Sequence, residues 1–339
     1  MKILVTGGAG YIGSTVCSAL IDAGHTPVII DSLVTGKREF VHGRVFYEGD
    51  IADCELIETI IKEHPDVSCC MHFAARIVIS ESVAQPALYY EENVVKTISL
   101  FNTLKKCGIN QIIFSSSAAV YQAPDNFEVS EKSAAVPISP YAKTKLIMEM
   151  AMEDFCAAGY FKGIALRYFN PIGADRKMRT GAFIAEPSHI LGKLVAAAKG
   201  RESQFNIFGT DWNTRDGSTM RDYIHVWDLA LAHVAAAEKF DQVFAEDAGN
   251  FSIINLGSGN GVTVKEFVDA FQRVYDGKLD VAAAPRRDGD TVGAFANCDK
   301  ASRLLGWKAQ MRIEDGIRDA LIWEEQFNSQ SSILRDSHV

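Results

Sequence analysis

Of the ten tyrosines in the chain, Tyr141 alone is followed four residues later by a lysine, Lys145, and Ser139-Pro140 just before it mark a helix start. A four-residue step puts both side chains on one helix face. A phenol with a pKa near 10 is a poor base at neutral pH, but a nearby ammonium and a cationic ring both favour its phenolate. Such a group can take the proton of an alcohol. Upstream, Gln111-Ile112-Ile113-Phe114 read as a strand that ends in Ser115-Ser116-Ser117, at the carboxyl edge where ligands of open α/β sheets bind. A hydroxyl there can orient a substrate alcohol, although a serine-rich turn satisfying its own backbone has the same composition.

A second constellation opens the chain. Thr6-Gly7-Gly8-Ala9-Gly10-Tyr11-Ile12-Gly13 follows an apolar run and leads into a helical pattern, with glycines at 7, 10 and 13. Backbone without side chains can approach a pyrophosphate closely, and the helix N-terminus offers free N–H groups. Asp31 closes the second apolar run 18 residues after Gly13, which completes a dinucleotide-binding unit. A carboxylate there accepts from ribose hydroxyls and repels a 2′-phosphate, so NAD is expected rather than NADP. Lys37 and Arg38 lie beyond it on a solvated loop. Asp50-Ile51 suit an adenine-edge contact, or equally a helix cap.

These residues need a scaffold. Short β-branched runs at Lys2-Thr6, Pro27-Asp31, Arg44-Tyr47, Cys69-Phe73, Gln111-Ser115 and Gly163-Arg167 alternate with helical patterns at Ile12-Ala23, Asp53-Glu63, Ala87-Cys107 and Tyr141-Ala157. That rhythm predicts an α/β fold, a Rossmann-like doubly wound parallel sheet, with a smaller C-terminal α/β substrate-binding domain. The expected division is 1–172, rejoined by 226–257, as the cofactor domain, and 173–225 with 258–330 as the substrate domain. Helices are expected at Ile190-Lys199 and His225-Phe240, a strand at Ile253-Leu256, and a polar tail from Gln326, with 331–339 outside either domain.

Composition narrows the function. The 339 residues carry 34 basic and 43 acidic side chains, a net charge of −9 that disfavours nucleic acid and anionic lipid as partners. No apolar run reaches the roughly 20 residues that cross a bilayer, and the opening apolar residues meet Gly-Gly too soon for a signal segment. Seven cysteines without a C-x-x-C pair read as reduced thiols, and the eight histidines show no metal-ligand spacing, so a cytoplasmic protein without a metal is expected.

From Met1 to about Trp323 the sequence resembles the extended short-chain dehydrogenases/reductases, and within them the UDP-glucose (UDP-galactose) 4-epimerases. The segments that carry the likeness are VTGGAGYIG, VIIDSL, EGDI, HFAA, YYEENV, FSSSAAVY, SPYAKTK, ALRYFNPIGA, RDYIHVWDLA and RRDGD, all in order. The resemblance implies Tyr141 as base, Ser117 as its partner and Lys145 on the nicotinamide ribose. It further implies cofactor contacts from Gly7, Gly10, Tyr11, Ile12, Gly13, Asp31, Ser32, Asp50, Ile51, Phe73, Ala74 and Ala75. Asn93, Ser115, Tyr168 and Phe169 would shape the nicotinamide pocket. The UDP-sugar would meet Asn170, His189, Ile190, Asn206, Ile207, Phe208, Arg221, Arg287 and Asp290, besides Ser117. Two guanidiniums suit a diphosphate and an aromatic ring suits a base. A homodimer is also implied, through helices Ala87-Cys107 and Tyr141-Ala157.

The chain departs from the family in three places. Arg76-Ile77 stand where a lysine is common one residue later. Ser188-His189-Ile190-Leu191-Gly192 lacks the usual proline. Ala294 replaces a tyrosine that some relatives place near the sugar, leaving volume for an N-acetyl group unless Phe295 refills it. Competing readings are a UDP-uronic acid epimerase or decarboxylase and a non-catalytic NAD-binding sensor. A 4,6-dehydratase would need an acidic pair where Ser116-Ser117-Ala118 stand.

Overall fold

The computed structural model describes residues 1–183, 189–247, 249–287 and 291–336. Its strands are β1 (Lys2–Thr6), β2 (Thr26–Asp31), β3 (Val45–Glu48), β4 (Val67–His72), β5 (Gln111–Ser117), β6 (Glu128–Val129), β7 (Lys162–Tyr168), β8 (Asn170–Ile172), β9 (Phe205–Phe208), β10 (Met220–His225), β11 (Phe251–Leu256), β12 (Gly261–Thr263), β13 (Val281–Ala284) and β14 (Phe295–Ala296). Its helices are α1 (Tyr11–Asp22), α2 (Cys54–Glu63), α3 (Ile79–Ala84), α4 (Pro86–Tyr90), α5 (Lys96–Lys106), α6 (Pro140–Ala157), α7 (Ile190–Ala198), α8 (Val226–Glu238), α9 (Phe240–Glu246), α10 (Val264–Val274), α11 (Asp299–Leu305) and α12 (Ile313–Asp336).

Seven parallel strands make the main sheet in the order β11-β7-β5-β4-β1-β2-β3, so the strand order reverses beside β1. The middles of the strands are apolar on both faces because alternate side chains enter different cores. Ile3 and Val5 of β1, Ile29 of β2, Met71 of β4 and Ile164 of β7 face one core, which α1, α8, α9 and α11 cover. Leu4, Val28, Ile30, Cys70 and Ala165 face the other, under α2, α5 and α6. A third core, around Phe205, Tyr223, Phe267 and Phe271, joins α7, α10 and α12 to the smaller sheets β12-β10-β8 and β13-β9.

The expected strand at Ile253-Leu256 is part of β11 and pairs with β7, so the chain does return to the first sheet. Three expectations need correction. Ala87–Cys107 is not one helix: α4 and α5 are joined by a π-helical turn over Glu91–Val95. His225–Phe240 is α8 alone, and Phe240 begins α9. The polar stretch from Gln326 is helical as far as Asp336, because Trp323 and Phe327 seat that end of α12 in an apolar cluster. The helix α10, not foreseen, carries a capping box between Thr263 and Glu266.

Candidate functional site

Strand β1 ends at Thr6, and the glycine loop lies against the turn that follows β4. Gly7 has φ +70°, and a Cβ on it would stand 2.6 Å from the Ala74 nitrogen; one on Gly13 would stand 2.3 Å from the Gly7 oxygen. Gly10 caps α1 with no side chain competing for the N–H groups of the first turn, which leaves them for an anion. Asp31, nearly buried, accepts from Ala9 N at 2.9 Å and Leu33 N at 2.8 Å, and burial raises its pKa against those two bonds. Its carboxylate keeps acceptor capacity for further donors, and Ser32 is exposed beside it. The Tyr11 hydroxyl donates to Gly173 O at 2.7 Å, so toward the loop this residue offers backbone; Ile12 is half-buried against the first core.

His72, within HFAA, was not singled out from the sequence. Its Nδ1 lies 2.7 Å from Thr6 Oγ1 and its Nε2 3.0 Å from Thr97 Oγ1, while its ring stacks on Phe114. Burial pushes it down to about 3, so it is a neutral strut between the glycine loop and β4. Phe73, Ala74 and Ala75 follow it as a half-buried turn. His233 of α8 lies under Phe73 and Tyr168, at ring separations of 4.9 and 6.2 Å, and is likewise neutral, at about 4.

The far end of the site is built by β5 and α6. Ser139 caps α6 by accepting from Ala142 N, and Pro140 starts the helix. Tyr141 and Lys145 then share its buried face, 9% and 4% exposed. Lys145 Nζ donates to the Ser115 carbonyl at 2.8 Å, and burial lowers its pKa to about 8. Burial raises the Tyr141 pKa, and the Ser117 hydroxyl acts against that rise. Ser117 Oγ accepts from Ala119 N at 3.2 Å, which leaves its own proton to donate. Ser115 Oγ is 2.5 Å from Tyr168 Oη, and Phe169 is buried behind them.

One turn beyond Lys145, Glu149 accepts from Arg167 Nε at 2.8 Å, Arg167 Nη2 at 2.5 Å and Ser116 Oγ at 2.5 Å, all buried. Sequence reading missed this pair, because 18 residues separate partners that meet only once β7 lies beside β5. Asn93, expected at the nicotinamide, spends its amide elsewhere. It accepts from Arg76 N at 2.8 Å and donates to Arg76 O at 3.0 Å and Thr144 Oγ1 at 3.2 Å, which fixes the turn after β4 against α6. Asp50 accepts from Lys96 Nζ at 2.5 Å and Ala52 N at 2.9 Å; Ile51 is buried, and the cap of α2 is Asp53.

The candidate substrate residues come from the second region. Phe208 is half-buried, and the Arg287 guanidinium lies 4.5 Å over its ring. Asn206 is half-buried on the same strand, whereas the Ile207 side chain belongs to the third core and can offer a ligand only its backbone. His189 caps α7, its Nδ1 accepting from Gly192 N at 3.2 Å, and Ile190 packs on the third core. Asn170 Nδ2 donates to Asp222 O at 2.9 Å. Arg221 donates to the carbonyls of Met220, at 2.6 Å, and of Thr291 and Val292, at 3.3 Å. Asp222 accepts from the backbone N–H of Ser258, Gly259 and Ala296. Ala294 packs beside Phe169, while the Phe295 ring lies toward Gly261, where a Cβ would stand 2.8 Å from it. Asp290 lies outside the described residues. Among the described residues no cluster of three metal-ligating side chains occurs, and no helix is long and apolar enough to cross a membrane.

Comparison with known proteins places this arrangement. The pattern of the NAD dependent epimerase/dehydratase family matches residues 3–257. A UDP-glucose 4-epimerase of Rhizobium meliloti (strain 1021) is 40% identical over 330 residues, spanning 96% of this chain and 98% of its own. Among solved structures, the UDP-glucose-4-epimerase of Stenotrophomonas maltophila, with bound NAD and formylated UDP-arabinopyranose, superposes with a TM-score of 0.92 at 36% identity, over 97% of this chain and 99% of its own. The UDP-Glc/GlcNAc 4-epimerase of Campylobacter jejuni has a TM-score of 0.81 at 33% identity, over 96% and 99%.

Proposed function

We propose, from the premise that the chain belongs to the NAD dependent epimerase/dehydratase family, that it is an isomerase inverting C4 of a UDP-hexose with tightly held NAD. The observation that carries this reading is the buried face of α6, which presents Tyr141 and Lys145 to the Ser115–Ser117 edge of β5 beside the glycine loop's sheet. The residues present fit NAD: backbone at Gly7, Gly10, Tyr11, Ile12 and Gly13 for the pyrophosphate, Asp31 and Ser32 for the adenosine ribose, Asp50 and Ile51 for the adenine edge. Phe73, Ala74, Ala75, Ser115, Tyr168 and Phe169 border the nicotinamide end, and Asn93 acts there through the Arg76 turn. When bound, the cofactor would supply a hydride acceptor for C4 and, in its reduced form, the hydride donor for the ketone.

Tyr141 takes the proton of the 4-hydroxyl, and Ser117, whose own proton is free to donate, holds the sugar oxygen and the phenolate in line. Lys145 keeps its ammonium near the site while anchored on the Ser115 carbonyl. The 4-ketone is planar, so the hexose must turn over while its nucleotide stays clamped. Arg221 and Arg287 hold the diphosphate, Phe208 the base, and Asn170, His189, Ile190, Asn206, Ile207 and Asp290 complete the nucleotide side. Tyr141 then returns its proton to the 4-oxygen as the opposite face of C4 would regain hydride, which would complete inversion without net redox change. Ala294, with the Phe295 ring turned toward Gly261, leaves volume for a 2-N-acetyl group, so UDP-N-acetylhexosamines are substrates beside UDP-galactose and UDP-glucose.

The domain division at 173, 226 and 258 is part of this proposal, supported by the return of β11 to the sheet. So is a homodimer through α5 and α6, beside which Val95, at the N-cap of α5, and Met150 are exposed, and a cytoplasmic site of action, which suits seven unpaired thiols. The test is conversion of UDP-galactose to UDP-glucose by purified protein with no cofactor added. Tyr141→Phe should lower turnover by about 10³-fold while UDP still binds. Binding of UDP-sugars without conversion by the wild type would overturn the reading. Ala294→Tyr should lose turnover of the N-acetyl pair and keep that of UDP-galactose; equal loss of both would remove the specificity claim.

A further inference from the structure

We propose that an aromatic clasp far from the reacting atoms, formed by Phe40, Phe183, Trp323 and Phe327, sets how slowly NAD leaves, by fastening the 32–41 loop to the C-terminal helix. The proposal rests on the cofactor reading above. Phe40 is a positioning residue in it, acting through the loop.

The loop leaves β2 at Asp31 and is tied inward to the glycine loop. Leu33 N donates to Asp31 Oδ1 at 2.8 Å, Lys37 N donates to Ala9 O at 2.9 Å, and a Cβ on Gly36 would stand 2.8 Å from both Ala9 Cβ and Asp31 Oδ1. Between those ties it is open to water: Val34 is 68% exposed, and Ser32, Thr35, Arg38 and Glu39 are exposed too. At its far end Val41 enters the first core, but Phe40 points into a separate small cluster with Ala174 and Trp323. The Phe40 ring is 5.7 Å from Trp323 and 6.4 Å from Phe327, which are themselves 5.3 Å apart.

Phe183, from the segment after β8, closes the cluster. Its ring lies 4.5 Å from Phe327, and the Lys37 ammonium sits 4.1 Å over it, so the loop is gripped at Lys37 as well as at Phe40. The indole of Trp323 is fixed from the other side, donating to Ala182 O at 2.9 Å, and Gly181 admits it where a Cβ would stand at 2.6 Å. Two distant stretches of chain, 174–183 and the end of α12, therefore converge on one loop whose inner bonds go to Asp31 and Ala9. A ligand lying on the glycine loop escapes when a covering segment opens, and the opening frequency depends on the contacts that hold that segment. Those contacts are aromatic, and sit outside the three large cores.

The experiment measures the exchange of bound NAD against excess labelled NAD in intact protein, well below its melting temperature, for Phe40→Ala, Phe327→Ala and Trp323→Phe. Loss of the ring contacts should speed exchange about tenfold in the two alanine variants. The conservative Trp323→Phe should stay within about threefold of the wild type. At saturating NAD, KM for UDP-galactose and kcat should remain within about twofold, a split that general damage to the fold would not give. Exchange at the wild-type rate in Phe327→Ala, whose ring lies at the edge of the cluster, would overturn the clasp even if Phe40→Ala failed to fold. A wild-type protein unable to bind NAD would instead overturn the cofactor reading, and the clasp with it.

Discussion

Lys145 is held in a buried site by one hydrogen bond, to the Ser115 carbonyl, and its ammonium is drawn down from 10.5 to about 8. The folded pKa is below the unfolded one, so between about pH 8 and 10.5 the unfolded chain binds a proton that the folded chain has released. Stability from this group therefore rises with pH across that window, and below it the folded state carries the whole burial cost. A shift of this size is worth about 3 kcal/mol, against about 1 kcal/mol for the hydrogen bond. Lys145→Met should accordingly melt higher than the wild type at pH 7 in cofactor-free protein, with the difference shrinking by pH 10, while turnover falls about 100-fold or more. Thermal melts at the two pH values check the sign; a variant less stable at pH 7 would contradict it. Tyr141, Lys145 and Ser117 were legible in the sequence because a four-residue helical step and a strand terminus are local facts. The direction in which Lys145 points was not, since the Ser115 carbonyl reaches it only through the packing of α6 on β5.

At the level of elements, α6 is registered on β5 and β7 by the Glu149–Arg167–Ser116 network, with the Arg167 guanidinium 4.7 Å over the Tyr121 ring and the Tyr121 hydroxyl donating to Asn255 Oδ1. An ion pair this deep has a desolvation cost comparable with its attraction, and removing one partner strands the other. Glu149→Leu or Arg167→Met alone should cost about 3–5 kcal/mol, whereas the double variant should recover most of that loss. Urea unfolding of the three proteins checks it, and additive losses would show that the residues do not act as a pair. Sequence reading located α6 to within a residue, because Ser139-Pro140 mark its start and apolar residues recur through it at three- and four-residue steps. It joined α4 and α5 wrongly, because the π-helical turn between them is imposed by Asn93, whose amide grips the Arg76 backbone 17 residues away. It also missed α12 altogether and read the stretch from Gln326 as a tail, where polar residues continue a helix that Trp323 and Phe327 hold in place.

For the molecule as a whole, α3, the N-terminus of α5, and α6 each expose an apolar side chain among polar ones. Val83 of α3, Val95 at the start of α5 and Met150 of α6 are each more than half exposed. On α6 the buried set is Tyr141, Ala142, Thr144, Lys145, Met148, Glu149, Met152 and Cys156, so Met150 projects from the side opposite Tyr141 and Lys145. Apolar side chains exposed on neighbouring helices are what a two-fold contact buries. The wild type should therefore sediment at twice the 37.1 kDa chain mass, and Met150→Glu combined with Val95→Glu should shift it to the single-chain mass by placing like charges together across the axis. Because these side chains lie outside the substrate and cofactor contacts, the single-chain form should keep its KM for UDP-galactose while losing thermal stability. Sedimentation of the wild type as a single chain at micromolar concentration would refute the dimer and return this face to the solvent.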